Sequence, residues 1–323
     1  MTSASSKQTV ADIGELGVID RAVRGHVQPD TTLLGPGDDA AIVRAADSRV
    51  VASTDVLVEG VHFRLDWSTA EQVGRKAIAQ NAADIAAMGA HSTAFLVGLC
   101  CPSSTPVEVV DGLVKGMWAA ASELGAGIVG GDVVRSDNVV ISVTALGDLR
   151  GQEPVTRSGA QVGDVVALAG RVGWSGAGLA VLSRGFRAPA AVVLAHREPE
   201  PPYAAALAAA AAGATAMTDV SDGLLADAGH LAAASGVGIE LRRRPLTPPQ
   251  RLVDVGNALG VDPWTWVLTG GEDHAFLATF PAGTALPEGW EAIGTVHAGA
   301  GAQVDDKRWT EADGPTGWQA FGK

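Results

Sequence analysis

Residues 50–63 read VVASTDVLVEGVHF, and this stretch decides the fold class. Its β-branched and small residues predict a buried strand over Val50–Thr54 that delivers Asp55 at its carboxyl end. A helical pattern follows over residues 69–88. A strand succeeded by a helix is typical of α/β proteins, in which the ends of strands commonly carry groups that bind ligands.

The alternation of strands and helices continues on both sides of this stretch. In the first half, the patterns predict helices over residues 11–27 and 106–124 and strands over 93–99 and 138–147. In the second half, they predict strands over 164–169, 237–241 and 274–280 and helices over 175–183, 203–217 and 223–234. Between them, residues 147–163 lapse into Gly, Arg, Gln, Pro and Ser. We therefore predict an α/β protein of the α+β type with two domains, 1–150 and 151–323.

Length, composition and charge fit two globular domains. At 323 residues the chain exceeds the usual size of one core, and it is 47% hydrophobic and 18% charged with 41 glycines. The net charge of −13 argues against binding to nucleic acid, because that affinity depends on Lys and Arg that neutralise phosphates. The short basic run Arg242–Arg244 follows a predicted strand and precedes Pro245, which fits a solvated strand end.

The cysteines and the hydropathy pattern indicate the cellular compartment of the protein. Cys100 and Cys101 are neighbours in sequence, and neighbours do not readily reach disulfide geometry. Residues 1–10 are polar without an apolar signal segment, and the most apolar stretch, residues 204–217, is short and mostly alanine. We expect a cytoplasmic protein that does not span a membrane.

Acidic residues recur in glycine-bearing or helix-opening turns, and this recurrence is the main indication of chemistry. The turns are Gly37-Asp38-Asp39, Ser53-Thr54-Asp55, Gly130-Gly131-Asp132, Thr218-Asp219-Val220-Ser221-Asp222-Gly223 and Gly270-Gly271-Glu272-Asp273. A pocket lined by carboxylates would repel a bare phosphate, whereas Mg²⁺ prefers oxygen ligands and bridges carboxylates to substrate phosphates. The pattern therefore favours metal-assisted phosphoryl transfer.

Each signal in the first half also has a structural explanation. Turn chemistry alone accounts for Gly37 and the aspartates after it. Asp55 can bind a metal or cap a loop, and His62 can pack in the core. Asp84 ends a polar stripe that begins at Lys76 with spacing i, i+4, i+8, and this periodicity alone favours a solvated helix face.

The turns of the second half leave similar alternatives open. Asp222 is a natural N-cap for the helix predicted from Gly223, although Asp219 adds a second carboxylate that a cap does not need. Gly270 and Gly271 permit either a tight turn or the close approach of a ligand.

Common nucleotide motifs are missing or misplaced. Residues 125–130 spell the dinucleotide fingerprint, but these glycines end a predicted helix instead of leaving a strand, which predicts a helix stop and a turn. Neither a Gly-x4-Gly-Lys-Ser/Thr run nor the His-Arg-Asp set of protein kinases occurs. Any nucleotide site in this chain is therefore of another kind.

Seven blocks, taken together and in order, resemble the thiamine-monophosphate kinase family over nearly the whole chain. They are Gly37-Asp-Asp39-Ala, Ser53-Thr-Asp55-x3-Glu59-Gly-x-His62-Phe63, Lys76-Ala-x3-Asn81-x2-Asp84-x2-Ala-Met88-Gly89, Gly130-Gly-Asp132, Thr156-Arg157-Ser158-Gly159-Ala160-x2-Gly163-Asp164, Asp219-x-Ser221-Asp222-Gly223-Leu and Gly270-Gly-Glu272-Asp273. Two positions depart from the family pattern. Trp174 stands where a small or acidic residue is frequent, and His274 stands where Tyr is frequent.

The resemblance implies an N-terminal domain that binds ATP and Mg²⁺ and packs against its dimer mate, and a C-terminal domain that completes the active site. The implied Mg²⁺ ligands are Asp39, Ser53, Thr54, Asp55, Asp84, Asp132, Asp219 and Asp222. The implied ATP contacts are Gly131, Asp132, Arg157 and Ser221, and the implied contacts to thiamine phosphate are His62, Glu272 and Trp318. We expect several Mg²⁺ ions, ATP as co-substrate, K⁺ as a further candidate ion and a homodimer.

The implied reaction agrees with the residue types. The acceptor phosphate of thiamine phosphate is already anionic at neutral pH, so it requires neither a nucleophilic side chain nor a strong base. We expect direct in-line transfer of the ATP γ-phosphoryl group without a covalent enzyme intermediate, with Arg157 adding positive charge. Asp55, Asp84 and Asp222 complete the implied catalytic set, and the face of Trp318 is suited to stack on the cationic thiamine.

Two alternatives remain at this point. The family resembles two other ATP-dependent groups of its superfamily, the selenide-dependent dikinase and the ring-closing aminoimidazole-ribonucleotide synthetase. The dikinase is disfavoured, because its reactive Cys and Lys near the N-terminus have no counterpart here. The ring-closing synthetase is not expected to carry both the Glu59-to-Phe63 and the Gly270-to-Asp273 blocks. A non-catalytic sensor of Mg-nucleotide or thiamine phosphates is disfavoured because all mapped ligands are present, and a turnover assay separates it from an enzyme.

Overall fold

The described chain, residues 8–37, 40–309 and 316–318 of a computed structural model, forms two compact units. The first unit comprises the chain up to Ile85 together with His91–Arg150, and the second comprises Ala86–Ala90 and the chain from Gly151 onward. Helices and strands are interspersed in each unit, and this confirms the predicted α/β class. Within the described ranges, no helix is long and apolar enough to cross a membrane.

The first unit is built around a four-stranded sheet. Its elements are α1 (Val10–Val23), β1 (Thr32–Leu34), β2 (Ile42–Val43), β3 (Val51–Val58), α2 (Ala70–Ala87), β4 (His91–Cys101), α3 (Val107–Glu123), β5 (Gly127–Arg135) and β6 (Val140–Asp148). The strand order is β3-β6-β4-β5, in which β4 and β5 run parallel and the other neighbours antiparallel. Strands β1 and β2 form a separate antiparallel pair.

The two faces of this sheet differ in burial. Successive strand residues point to opposite faces, so Leu57 on β3 is fully buried while its neighbour Val56 is 45% exposed. The covered face continues through Phe95 on β4, which is also fully buried. The other face exposes Leu96 and Val134 at 38% and 49%. Within the described part of the first unit, apolar side chains on this face thus remain exposed.

Helices α2 and α3 pack backbone against backbone. A Cβ atom added at Gly74 would overlap the carbonyl oxygen of Leu113, and one added at Gly116 would overlap that of Glu71. At Gly112 an added Cβ would lie 2.8 Å from the Ala70 side chain. Glycines on both helices therefore set their separation.

The second unit is built around a seven-stranded sheet. Its elements are β7 (Val165–Ala169), α4 (Trp174–Ser183), α5 (Ala190–Arg197), α6 (Tyr203–Ala211), β8 (Ala216–Val220), α7 (Leu224–Ser235), β9 (Gly238–Leu241), α8 (Gln250–Leu259), α9 (Pro263–Thr269), β10 (Ala275–Phe280), β11 (Trp290–His297), β12 (Gly301–Val304) and β13 (Lys307–Arg308). The strand order is β13-β12-β9-β11-β7-β10-β8, and among the described strands of this sheet only β12 and β9 pair in parallel.

The prediction of one helix over residues 203–217 is wrong. Helix α6 ends at Ala211, and Gly213 adopts φ +81°, a left-handed conformation that suits glycine at a helix end. Residues Ala216–Val220 form β8, which pairs antiparallel with β10. Alanine-rich composition favours a helix locally, but pairing and complete burial in the sheet override it at Met217.

Strands also extend further than the sequence pattern indicates. Asp55 lies within β3 rather than at its end, and Asp132 lies within β5 rather than in a turn. The glycines after α3 end that helix as predicted, but the apolar run after them is a strand of the sheet. Helices α5, α8 and α9 had no predicted counterpart.

Candidate functional site

In the first unit, β3 and α2 bring four polar groups together. The Ser53 hydroxyl donates to Asp84 Oδ2 at 2.6 Å, and the Asp55 backbone N–H donates to Asn81 Oδ1 at 3.0 Å. Asn81 is fully buried and donates in turn to the Ala77 carbonyl oxygen at 2.8 Å. The amide of Asn81 thus fixes the backbone of Asp55, and the hydroxyl and carboxylate oxygens beside it are of the type that Mg²⁺ prefers.

The solvated helix face that periodicity alone favoured is wrong for Lys76, whereas Asp84 is half-buried. Lys76 is only 2% exposed, and its Nζ donates to the His62 carbonyl oxygen at 3.0 Å. His62 Nδ1 accepts from the Val58 backbone N–H at 3.0 Å, so the ring proton of a neutral His62 is on Nε2. Buried polar side chains of α2 therefore hold the turn that presents His62.

Two predicted ligands of the first unit lie on the other face of the sheet. Thr54 Oγ1 donates to the Val143 carbonyl oxygen at 3.0 Å and accepts from Thr144 Oγ1 at 3.1 Å. Asp132 on β5 pairs with Gly98 on β4, and this register places the Asp132 side chain on the same face as Thr54. β5 is three strands away from β3 in the sheet. At about 4.8 Å per strand, Asp132 is about 14 Å from β3. Within one chain the first unit does not bring these side chains to Ser53 and Asp55, and Asp39 lies outside the described residues.

A largely apolar cavity of about 710 Å³ lies beside Gly131 and Asp132. Its walls come from α1, α3, β4 and β5 and from residues near Gly37. A Cβ at Gly131 would overlap the Val97 carbonyl oxygen, so strand packing alone already requires glycine at this position. A cavity of this size and character is suited to an organic ring system.

In the second unit, the acidic turn after β8 lies against the turn before β10. The backbone N–H groups of Glu272 and His274 donate to the carbonyl oxygens of Ser221 and Val220, at 2.8 and 3.0 Å. Glu272 and His274 both have positive φ, +62° and +51°. Non-glycine residues occupy this region at an energetic cost, and such strain is concentrated at functional sites.

Two acidic residues beside these turns have fixed partners, the buried Asp219 at the end of β8 and the half-buried Asp273. Asp219 is 2% exposed, and its Oδ2 lies 3.0 Å from His274 Nδ1, so the departure from the family pattern at His274 supplies a partner for Asp219. Asp273 accepts from the backbone N–H groups of Gly173 and Ser175 at 2.6 and 2.8 Å. Burial raises the pKa of Asp273 to about 7, against the opposing effect of these two donors.

The prediction that Asp222 caps the following helix is wrong. The N-cap of α7 is Gly223, and Asp227 accepts from the backbone N–H groups of Asp222 and Gly223 at 3.1 Å each. Burial, followed by the nearby Asp227 charge, raises the pKa of Asp222, while the hydrogen bond with Asp227 raises the pKa of His230. Ligand atoms of Asp222, Asp227 and His230 lie within 4.8 Å of one another, so this group can hold a cation.

Beside Asp222 is a cavity of about 560 Å³ that also contains two indoles, Trp309 and Trp318. The backbone N–H of Trp318 donates to the Asp222 carbonyl oxygen at 2.9 Å, and a Cβ at Gly317 would lie 2.5 Å from that oxygen. Glycine at 317 therefore allows the chain to pass Asp222, and Trp318 remains 51% exposed beside it.

The remaining predicted residues of the second unit lie around the same turns. Arg157 Nε donates to Thr218 Oγ1 at 3.1 Å, and its positive charge lowers the pKa of Asp222, although burial of the carboxyl outweighs it. Glu272 Oε2 lies 3.3 Å from Nδ1 of the buried His196. The second unit thus brings together Asp219, Ser221, Asp222, Arg157 and Glu272, with Trp318 beside Asp222.

Several polar residues of these sites carried no predicted role. Asn81 and Lys76 stood in one of the seven blocks without an assigned role, and the periodicity of Lys76 favoured solvent. Asp227 had a local signal, since an acidic residue in the first helical turn commonly accepts free backbone N–H groups. His196 and Trp309 had none, because only the tertiary fold brings them to residues far away in sequence.

Both units match known family descriptions. Residues 37–149 match AIR synthase related protein, N-terminal domain, and residues 161–306 match AIR synthase related protein, C-terminal domain.

The chain is also similar to known proteins over nearly its full length. It is 54% identical over 322 residues to the thiamine-monophosphate kinase of Mycobacterium tuberculosis, covering 99% of this chain and 95% of that protein. The crystal structure of thiamine monophosphate kinase from Aquifex aeolicus matches with a TM-score of 0.77 and 31% identity, over 94% of this chain and 99% of that one. A structure described as AaThiL complexed with AMPPCP and TMP matches with a TM-score of 0.79 and 32% identity, over 98% and 100% of the two chains.

Proposed function

The chain belongs to the thiamine-monophosphate kinase family of AIR synthase related proteins, and we propose that it transfers the γ-phosphoryl group of ATP directly to thiamine phosphate, giving thiamine diphosphate and ADP. The relative that was solved with AMPPCP and TMP supports these two substrates. Transfer is in line and forms no covalent enzyme intermediate.

The observation that carries the proposal is the cavity beside Asp222. It combines a half-buried carboxylate with the indoles of Trp309 and Trp318. Thiamine phosphate presents the complementary groups, a cationic aromatic ring and a phosphate. An indole face attracts the ring by cation–π interaction, and the carboxylate can hold the phosphate only through a cation.

The donor groups of both units fit Mg²⁺. In the first unit the candidate ligands are Ser53, Asp55 and Asp84, all with oxygen donors. In the second unit the raised pKa of Asp222 shows that a bare carboxylate is disfavoured there, and a bound cation would relieve this. When bound, Mg²⁺ neutralises phosphate charge and orients the two anionic substrates. The resemblance also implies Thr54, Asp132, Asp219 and Asp39 as ligands; because Thr54 and Asp132 lie on the other face of the sheet from Ser53 and Asp55, we assign them to a different ion of the set.

The other side chains bind and orient substrates. His62 can donate from Nε2 to a phosphate oxygen, because its Nδ1 is held by Val58. Arg157 adds positive charge near Asp222, and Glu272 accepts hydrogen bonds from the organic part of thiamine phosphate. Gly131 contacts ATP at the cavity of the first unit, which offers space for an organic ring, and Ser221 is the proposed ATP contact of the second unit.

Purified protein incubated with ATP, Mg²⁺ and thiamine phosphate is expected to form thiamine diphosphate and ADP in equal amounts. The acceptor is already a nucleophile, so no further co-reactant is needed. Chromatographic quantification of both products over time measures the reaction. A parallel sample with EDTA is expected to form neither product, because charge neutralisation is lost.

Other outcomes separate the alternatives. Phosphate release without thiamine diphosphate would point to a related ATP-using enzyme of the same superfamily. Tight nucleotide binding without consumption of ATP would point to a sensor. A full rate in EDTA would contradict the metal requirement.

We propose further that two copies associate through the uncovered face of the β3-β6-β4-β5 sheet. Val56, Leu96 and Val134 are exposed on it, and burial of large apolar groups is what stabilises permanent dimers. A Val56→Arg variant is expected to be monomeric at concentrations at which the wild type is dimeric, since a guanidinium would be buried without a partner. Light scattering coupled to gel filtration measures the two masses.

The matched control is Leu179→Arg. Leu179 is 42% exposed on α4, which belongs to the second unit and not to the sheet that forms the proposed interface, so the same substitution there should leave the dimer intact. A monomeric wild type, or an unchanged dimer in Val56→Arg, would rule out this interface.

A further inference from the structure

His196 is a buried polar residue outside all seven sequence blocks. It lies on α5, is 5% exposed, and its Nδ1 is 3.1 Å from Ser175 Oγ and 3.3 Å from Glu272 Oε2. Its neighbours on the helix, Val192 and Val193, are apolar and buried. A histidine in an otherwise apolar helix face is costly unless its ring nitrogens serve a partner.

The side chain whose orientation His196 can fix is Glu272. Its side chain is 29% exposed, so its carboxylate is accessible to a ligand, and it follows two glycines in the turn before β10. Its backbone is left-handed, with φ +62°, and the Ser221 carbonyl oxygen accepts its N–H. A glutamate side chain on such a turn has many accessible rotamers, and fixing one of them on binding costs conformational entropy.

The position of the ring proton decides what Nδ1 of His196 can do. An ionised carboxylate only accepts hydrogen bonds, so the 3.3 Å contact with Glu272 is favourable when Nδ1 carries the proton. Ser175 Oγ lies 3.1 Å from the same Nδ1, and it can accept from an Nδ1–H or donate to a bare nitrogen. Ser175 is itself fixed, because its backbone N–H donates to Asp273 at 2.8 Å. The start of α4, the end of α5 and the turn at Glu272 are thereby joined by polar contacts within the second unit.

We propose that His196 is a positioning residue for the substrate: its Nδ1–H holds the Glu272 carboxylate in the orientation that receives the organic part of thiamine phosphate. The inference rests on the proposed role of Glu272 as a contact to that substrate. His196 touches no reacting group, so its effect is on the affinity for thiamine phosphate and not on ATP or on the transfer step.

The test compares His196→Leu with His196→Asn. Leucine fills the space without a donor, and the KM for thiamine phosphate is expected to rise about 10- to 100-fold, the range for a lost hydrogen bond to a charged group. The KM for ATP and kcat are expected to stay within about 3-fold of wild type, because nothing else at the reacting centre changes. Asparagine places an N–H near the position of Nδ1 and is expected to restore most of the affinity.

The matched control is Val193→Ala. It removes buried volume from the same helix and lowers thermal stability, but it leaves the contact between His196 and Glu272 in place. Its KM for thiamine phosphate is expected to equal that of the wild type. An increase as large as that of His196→Leu would show that α5 acts only through general packing and would overturn the proposal.

A double-mutant cycle with Glu272→Gln separates the inference from the proposed function. Glu272→Gln is expected to raise the KM by itself, and His196→Leu is expected to add little in its presence. Additive effects of the two substitutions on KM, or an unchanged KM in His196→Leu, would overturn the positioning role. Turnover by the wild type would still support the kinase function in that case. Calorimetric binding of thiamine phosphate to the same four proteins gives the same comparison without turnover, so an inactive wild type would reject the function alone.

Discussion

An Asp222→Asn variant is expected to lose about 10³-fold in kcat and yet unfold, in the absence of Mg²⁺, at a temperature no lower than that of the wild type. The loss is of the size seen when one charged group that stabilises the reacting phosphates is removed. The retained stability follows from how Asp222 is held. Its N–H and C=O bond to Asp227 and to Trp318 through the backbone, which asparagine keeps.

The sign of the stability change follows from the pKa of Asp222. Burial and the Asp227 carboxylate raise that pKa, so the folded protein binds the proton of this group more tightly than the unfolded chain. Stability is then lost as the pH rises from the ordinary carboxyl range through the raised value, and asparagine removes this loss. The wild type should therefore fall behind the variant in thermal stability between acidic and neutral pH, measured by calorimetry in EDTA.

Asp254→Asn is the matched control for this experiment. Asp254 is an exposed carboxylate on α8 of the same unit, in a surface hydrogen bond with Gln250, so its loss should change neither kcat nor stability appreciably. If Asp222→Asn unfolds earlier than the wild type by several degrees, in step with its loss of activity, the carboxylate is a structural group and the catalytic assignment is wrong.

The sequence predicted the elements whose signals are local. The acidic turn at Asp222 and the glycine-bearing turn at Glu272 were recognised from composition, and both occur next to each other at the ends of β8 and β10. Residue type alone could not predict which hydrogen-bond donors each carboxylate binds. Asp222 was expected to cap α7, but Asp227 does so from inside the first turn.

What the sequence missed depends on contacts between distant segments. The stripe from Lys76 to Asp84 has the periodicity of a solvated helix face, but tertiary contacts bury Lys76 and bring the half-buried Asp84 to Ser53 on β3. The strand at Met217 continues an alanine-rich run, and its partner strand lies about 60 residues later, beyond any local pattern. Trp309 and His196 contact residues that lie far away in sequence, so no periodic pattern in the sequence predicts these contacts.

The contact between α2 and α3 predicts a large loss of stability in Gly116→Ala. In an exposed helix this substitution would gain about 1 kcal/mol from helix propensity. Here the added methyl group would overlap the Glu71 carbonyl oxygen and lie 3.0 Å from the Arg75 backbone nitrogen, and neither backbone atom can rotate away. The helices must move apart, and we expect the free energy of unfolding to fall by about 3 kcal/mol, measured by urea denaturation.

Gly229→Ala tests whether this loss comes from the helix contact rather than from replacing any helical glycine. Gly229 lies within α7, and a Cβ there would meet no atom within 4 Å, so the substitution should leave stability unchanged or raise it by up to about 1 kcal/mol. If α2 and α3 must approach closely, Gly116→Ala and Gly229→Ala will change the free energy of unfolding in opposite directions or by amounts that differ by several kcal/mol. Equal, small effects would mean that the helices tolerate a wider spacing. The same wider spacing would carry the α2 side chains Asn81 and Asp84 away from β3, so Gly116→Ala should also weaken metal-dependent turnover under conditions in which it remains folded.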